Sequence, residues 1–293
     1  MSERVLAVEA VQPELDAVEQ RIRSLLSGFA EGDRCAALRA RYVLPAVGHL
    51  FQRQGKLLRP LLVLLGARAC GAPRLAARAA VIHAAAAVEL IHTASLAHDD
   101  MIDSSAERRG EPSLHVAHGS TTAILVGDLF YARFFQELAA LPGVTAVTRL
   151  RLLEVFLGVT RSMCEGEILA DQMRIDAVAP TAAAYLHIAQ AKTAGLISAC
   201  CYAGGVLAGA PEAVVSALAG YGRSLGLLFQ IADDLADGDA PCADRSALAS
   251  SADECRGATG RFLEELPDNE ASAVLRSLPD RILSPSPPLP LPR

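Results

Sequence analysis

Lysine is almost missing from this sequence: of 27 basic residues, only Lys56 and Lys192 are not arginine. Arginine therefore serves wherever a generic positive charge suffices, and the two exceptions ask for a specific reason. Aromatic residues are scarce at 4%, with no Trp, and strand signals are nearly absent, which argues against a β-sandwich or barrel. There is no excess of basic charge either. A net charge of -6 and a pI near 5.7 leave no electrostatic footprint for nucleic acid. The seven Cys are odd in number and form no CxxC pair, which argues against a disulfide or zinc framework and for reduced thiols in a cytoplasmic compartment. The opening Met1-Ser2-Glu3-Arg4 lacks the basic-then-apolar signature of a secretory leader. Nor is there a clean membrane-spanning run, because the apolar stretches around 81–97 and 196–210 are broken by His83, Glu89 and His92 or by several Gly.

What the chain has in abundance is apolar aliphatic surface, 52% hydrophobic residues with Ala and Leu foremost. Such a composition suits a large core of closely packed helices. Apolar residues recur at helical spacing over 14–28, 36–51, 60–70, 74–103, 117–140, 144–175, 181–208, 211–237 and 246–282. Between them stand Gly71-Ala72-Pro73, Gly110-Glu111-Pro112, Pro142-Gly143, Pro180 and Gly209-Ala210-Pro211, which break helices. The expectation is an all-α bundle of long helices with short connections, one domain over residues 1–283. Residues 284–293, with five Pro in ten positions, are expected to form a polyproline-like or disordered tail.

Two copies of Asp-Asp-x-x-Asp interrupt this apolar background, Asp99-Asp100-Met101-Ile102-Asp103 and Asp233-Asp234-Leu235-Ala236-Asp237. Each follows a long apolar helical stretch, where three carboxylates are unfavourable unless a cation or paired donors compensate. In a helix the first and fifth residues share a face, so Asp99 with Asp103, and Asp233 with Asp237, each offer two carboxylates about one turn apart. That is a grip for Mg2+, which prefers oxygen donors and is typically held by one or two carboxylates together with substrate phosphates. Two such grips facing each other across a bundle would hold metals around a diphosphate. The alternative is a pair of acidic helix ends facing water.

The cations fit the same guest. Lys56 lies in Gly55-Lys56-Leu57-Leu58-Arg59-Pro60, just ahead of a helix start marked by Pro60, and Lys192 lies inside an apolar helix. A compact ammonium suits a phosphate oxygen at close quarters. Arg108-Arg109-Gly110 opens a Gly/Pro loop five residues beyond Asp103, a paired guanidinium suited to diphosphate. His92 sits near the same helix face as Asp99, although a histidine in this setting is also an ordinary core residue.

With GKLLRP, ELIHTASLAHDDMID, RRGEP, the Gly127-Asp128 step, CEGE at 164–167, YLHIAQAKTAGLI and GLLFQIADDLAD in this order, the chain resembles the trans-isoprenyl diphosphate synthases of the polyprenyl synthetase family from about residue 50 to 237. The resemblance implies a bundle of the isoprenoid synthase type with a central cavity, acting in the cytoplasm as a homodimer without a membrane span. It implies a transferase that joins isopentenyl diphosphate to an allylic prenyl diphosphate and makes an all-trans polyprenyl diphosphate. By the same resemblance Asp99, Asp100, Asp103, Asp233, Asp234 and Asp237 hold Mg2+, three ions with the diphosphate bound. Lys56, Arg59, His92 and Arg109 match positions that bind isopentenyl diphosphate, and Arg108 and Lys192 match those contacting the allylic diphosphate. Thr193 and Gln230 match positions beside the developing allylic cation; with Lys192 and the aspartates they make up the implied catalytic set. Ala94 and Ser95 match the chain-length pocket, and their small side chains imply a product of twenty carbons or more.

The chain also departs from the family pattern. After Asp237 it runs through Gly238-Asp239-Ala240-Pro241 almost directly into what resembles the last helices, with no Lys beyond Lys192. Leu57 replaces an Arg common in the family, and Ala170-Asp171 follow Gly166-Glu167-Ile168-Leu169 where the family carries Gln. The shortened segment admits a second reading, a non-catalytic subunit paired with an active synthase. A third is a terpene cyclase-like enzyme that ionises a prenyl diphosphate without isopentenyl diphosphate, against which Lys56, Arg59, His92 and Arg109 weigh.

Overall fold

The structure, a computed structural model, describes residues 11–29, 35–51, 57–71, 75–108, 110–237, 242 and 244–283, with backbone alone for Leu75, Ala76 and Asp237. Lys56, Arg109, the Asp237 carboxylate and the Pro-rich segment 284–293 lie outside the described residues. The rest is helical save for one two-residue hairpin, as the composition implies. In chain order the helices are α1 (Gln12–Ser27), α2 (Ala36–Tyr42), α3 (Leu44–His49), α4 (Leu58–Ala69) and α5 (Leu75–Ile102). The hairpin β1 (Glu107–Arg108) and β2 (Glu111–Pro112) follows, pairing Glu107 with Pro112. Then come α6 (Leu114–His118), α7 (Ser120–Ala139), α8 (Ala146–Ile175), α9 (Ala182–Ala189), a π-helical turn (Gln190–Ala194), α10 (Gly195–Ala208), α11 (Glu212–Asp237), α12 (Arg245–Phe262) and α13 (Glu270–Leu283).

Local chemistry sets the helix ends. Thr145, Thr181 and Asp244 each accept a backbone N–H from the first turn of α8, α9 and α12, satisfying donors that have no partner inside the helix. Gly209 closes α10 in the left-handed conformation at φ 72°, which costs glycine little. Two of the expected helices are split. Pro45, at the start of α3, ends the run over 36–51 at Val43, and the run over 246–282 is interrupted by Leu266-Pro267 before α13.

α5 is the axis of the core. Ala80, Ala84, Ala87, Val88, Ile91, Ala94 and Ala97 on it are all buried, and α1, α4, α7 and α10 pack around it. α1 presents Leu15, Val18, Ile22 and Leu25 inward at the spacing of one helix stripe. α11 packs against α10 and carries α12 on its other side, around a smaller cluster that includes Tyr185, Leu228, Ile231 and Leu248.

Three helical stretches, Ala77–Ile102, Ala182–Ala208 and Glu212–Ala236, are long and apolar enough to cross a membrane by length and composition, contrary to the reading of the sequence. Their most apolar windows are 67%, 56% and 56% buried within the bundle. A helix enclosed by neighbours is apolar nearly all round, and that burial accounts for the hydropathy of α5.

Candidate active site

The two acidic motifs end α5 and α11, and their helices deliver them to one cavity of about 600 Å3. Asp99, Asp103 and Asp233 line it together with Arg59, His92, Arg108, Lys192, Thr193 and Gln230. Nine of the residues singled out in the sequence thus meet at one point although 174 positions separate Arg59 from Asp233. Ser95 also lines the cavity, with Leu96, Met163 and Phe229 as apolar wall, whereas Ala94 is wholly buried in the core.

Within each motif the second aspartate is tied to a neighbour. Asp100 is 2% exposed, and its Oδ1 accepts from Arg108 Nε at 2.7 Å and lies 2.6 Å from Arg108 Nη2. Arg108 stands on β1, so the hairpin brings the guanidinium back over the end of α5. Asp234 accepts from the Tyr185 phenol at 2.5 Å on Oδ2 and from Gln230 Nε2 at 2.9 Å on Oδ1. Both carboxylates keep acceptor capacity beyond these bonds, so the neighbours orient Asp100 and Asp234 without excluding them from a metal. Asp99, Asp103 and Asp233 line the cavity.

Lys192 and Thr193 sit in the π-helical turn, where an extra residue per turn pushes side chains out of the helical register. Close approach on both sides makes room for it: a Cβ on Gly166 of α8 would lie 2.7 Å from Ala191 Cβ, and one on Gly226 of α11 would lie 2.6 Å from Ala194 Cα. The bulge aims Lys192 at Glu167, with Nζ 2.6 Å from Oε2, and lets Thr193 donate to Gln230 Oε1 at 2.7 Å. Thr193, Gln230, Asp234 and Tyr185 therefore form one hydrogen-bonded relay. A second cavity of about 410 Å3 lies behind the relay, walled by Met173, Ile188 and Tyr185.

Electrostatically the α5 side is short of positive charge. Burial raises the Asp99 carboxyl to about 6; Glu167 and Asp103 push it the same way, and Lys192 and Arg108 oppose them. Crowded oxygen donors with too little countercharge fit a hard divalent cation. Among the described residues no group of three or more His, Cys, Asp or Glu is gathered to hold an ion unaided. An ion shared between one or two carboxylates and substrate oxygens needs no such group.

Tyr185 and Glu167 are site residues that sequence reasoning did not select. Tyr185 lies in an otherwise apolar helix 49 residues from its partner, so no spacing relates the two. Glu167 was visible within CEGE but carries no signal of its pairing with Lys192.

This geometry agrees with the similarities to known proteins. The profile of the Polyprenyl synthetase family matches residues 41–243. The chain belongs to that family. Among polyprenyl synthetase relatives it is 34% identical over 215 residues to the geranylgeranyl diphosphate synthase of Sulfolobus acidocaldarius, covering 73% of this chain and 62% of that protein. It is 38% identical over 183 residues to the octaprenyl diphosphate synthase of Escherichia coli, covering 62% of this chain and 53% of that protein. The chain thus spans between half and two thirds of the length of these curated relatives. A solved geranylgeranyl pyrophosphate synthetase from Geoglobus acetivorans superposes with a TM-score of 0.79 at 26% identity, covering 93% of this chain and 99% of that one.

Proposed function

We propose that this protein is a Mg2+-dependent prenyltransferase that condenses isopentenyl diphosphate with an allylic diphosphate to give an all-trans polyprenyl diphosphate of twenty carbons or more. The observation that carries this reading is the convergence of Asp99, Asp103 and Asp233 with Arg59, His92, Arg108 and Lys192 on one cavity. The relatives' names add the substrate class. Mg2+ held by Asp99, Asp100, Asp103, Asp233, Asp234 and Asp237 would supply countercharge to a diphosphate leaving group. Arg108 and Lys192 orient that diphosphate by exchanging their bonds to Asp100 and Glu167 for bonds to its oxygens. The allylic C–O bond breaks and its electron pair leaves with the diphosphate. Thr193 Oγ1 and the Gln230 amide then lie beside the cationic carbon. Arg59 and His92, with Lys56 and Arg109, orient isopentenyl diphosphate so that its double bond attacks that carbon. A proton lost from the new C5 unit passes to the released diphosphate and restores a double bond. The apolar wall of Leu96, Met163 and Phe229 excludes water, which would otherwise trap the cation. The small Ser95 on that wall favours the longer products, with Ala94 behind it in the core.

We place the enzyme in the cytoplasm as a single helical domain without a membrane span, a location suited to its seven unpaired cysteines. We further propose a homodimer through α7 and α8. Leu125, Leu150, Leu157 and Ile168 on these helices are 60%, 57%, 53% and 63% exposed, an apolar stripe that a second copy would cover.

Incubation of the purified protein with Mg2+, isopentenyl diphosphate and either farnesyl or geranylgeranyl diphosphate tests the reading. Elongated product is expected. Diphosphate release without incorporation of isopentenyl diphosphate would mean a cyclase-like enzyme, and turnover only with an added synthase subunit would mean a heteromer.

A further inference from the structure

The last turn of α5 is held from two sides. Successive helical residues are about 100° apart, so His98 and Asp100 flank Asp99 on opposite sides, while Asp103 lies only about 40° from it. Asp100 is fixed by Arg108, as described above. His98 is fixed on the other flank by α7. Its Nε2 lies 3.1 Å from the backbone oxygen of Ile124 and 3.7 Å from Asp128 Oδ1, and its ring stacks on Tyr131 with centroids 5.8 Å apart. A carbonyl oxygen only accepts, so Nε2 is the protonated nitrogen and donates to Ile124. This approach depends on Gly127, where a Cβ would come within 2.1 Å of His98 Nε2. With a Cβ at position 127 the imidazole would have to leave this seat against the α7 backbone, or the two helices would have to move apart.

We propose that His98, seated in the notch left by Gly127, is a positioning residue for Asp99. It fixes the azimuth of the final α5 turn so that Asp99 and Asp103 together face the cavity. This rests on the reading of those two carboxylates as Mg2+ ligands. Neighbours that orient metal ligands commonly alter metal affinity or activity 10- to 100-fold when removed.

The test is a double-mutant cycle read by calorimetric binding of inorganic pyrophosphate at varied Mg2+, together with thermal unfolding. His98→Ala is expected to raise half-saturating Mg2+ about tenfold or more. His98→Gln, which keeps a donor for the Ile124 carbonyl, should recover most of that loss. Gly127→Ala is expected to resemble His98→Ala, and the double variant should be no worse than His98→Ala alone, because without the ring there is nothing to displace. If Gly127→Ala fails to fold, adding His98→Ala should restore folding. Equal harm from Gly127→Ala with and without His98, or an unchanged Mg2+ demand in His98→Ala, overturns the inference. Failure of the unmodified protein to bind pyrophosphate with Mg2+ or to turn over would instead overturn the prenyltransferase reading itself.

Discussion

The phenol of Tyr185 donates to Asp234 Oδ2 at 2.5 Å, linking α9 to the second acidic motif from beneath. Tyr185 is 3% exposed, and burial followed by the Asp234 carboxylate drives its own ionisation far above the usual range, so it remains a donor at all working pH values. Tyr185→Phe keeps the packing and leaves the Gln230 amide donating to Asp234. Hydrogen bonds to charged groups contribute about 1.5–3 kcal/mol, and about 1.4 kcal/mol is tenfold in rate. The variant is therefore expected to lose about ten- to a hundredfold in kcat/KM while unfolding within a few degrees of the parent. Steady-state kinetics beside a thermal melt checks both halves of the prediction.

Far from the cavity, Glu137 on α7 ties down α1 and α5. Its carboxylate accepts from Arg21 Nε at 2.7 Å and Nη2 at 2.8 Å, lies 2.8 Å from His83 Nδ1, and is 4% exposed. Burial works to raise its pKa, but the hydrogen bonds from His83 and Arg21 outweigh this and hold it below the ordinary 4.5. A carboxyl lowered in the folded state contributes stability that is complete above the unfolded value and is lost as pH falls through the folded one. Glu137→Gln is expected to cost about 3 kcal/mol at pH 7. Urea titrations of parent and variant should converge as the pH falls below 4.5. A gap that stays constant down to acid pH would show that the carboxylate charge is not what matters.

Much of this molecule can be read from periodicity and breakers, because long helices between Gly and Pro leave few alternatives. The two acidic motifs were also legible, since three carboxylates closing an apolar helix are unfavourable unless a cation, paired donors or water compensates, and the structure brings both to one cavity. The π-helical turn was not. One extra residue within 181–208 leaves the apolar pattern nearly intact, and the need for it arises from Gly166 and Gly226 on other helices. The division of labour inside each motif was hidden for the same reason: the donors that restrain Asp100 and Asp234 come from β1 and α9. Arg108 read as a diphosphate contact is, in this state, a partner of Asp100, a role that its loop position alone does not reveal.

Asp99 supplies a prediction that joins pH to metal. Its carboxyl is raised to about 6, first by burial and then by Glu167 and Asp103 against Lys192 and Arg108. An acid raised in the folded state favours folding most below its unfolded pKa and loses that contribution as pH rises through 6. Without metal, ionised Asp99 is thus a cost at neutral pH, and a divalent cation relieves it. Mg2+ with pyrophosphate is expected to raise the melting temperature more at pH 7.5 than at pH 5, because below 6 the metal must first displace a proton. In that range half-saturating Mg2+ should climb by about tenfold per pH unit, and chelation should abolish turnover at any pH. Glu167→Gln removes the strongest like-charge influence on Asp99, so the pH at which Mg2+ demand begins to climb should move downward. If that pH stays put in Glu167→Gln, the titrating group is not Asp99, and the carboxylates across the cavity on α11 become the next to vary.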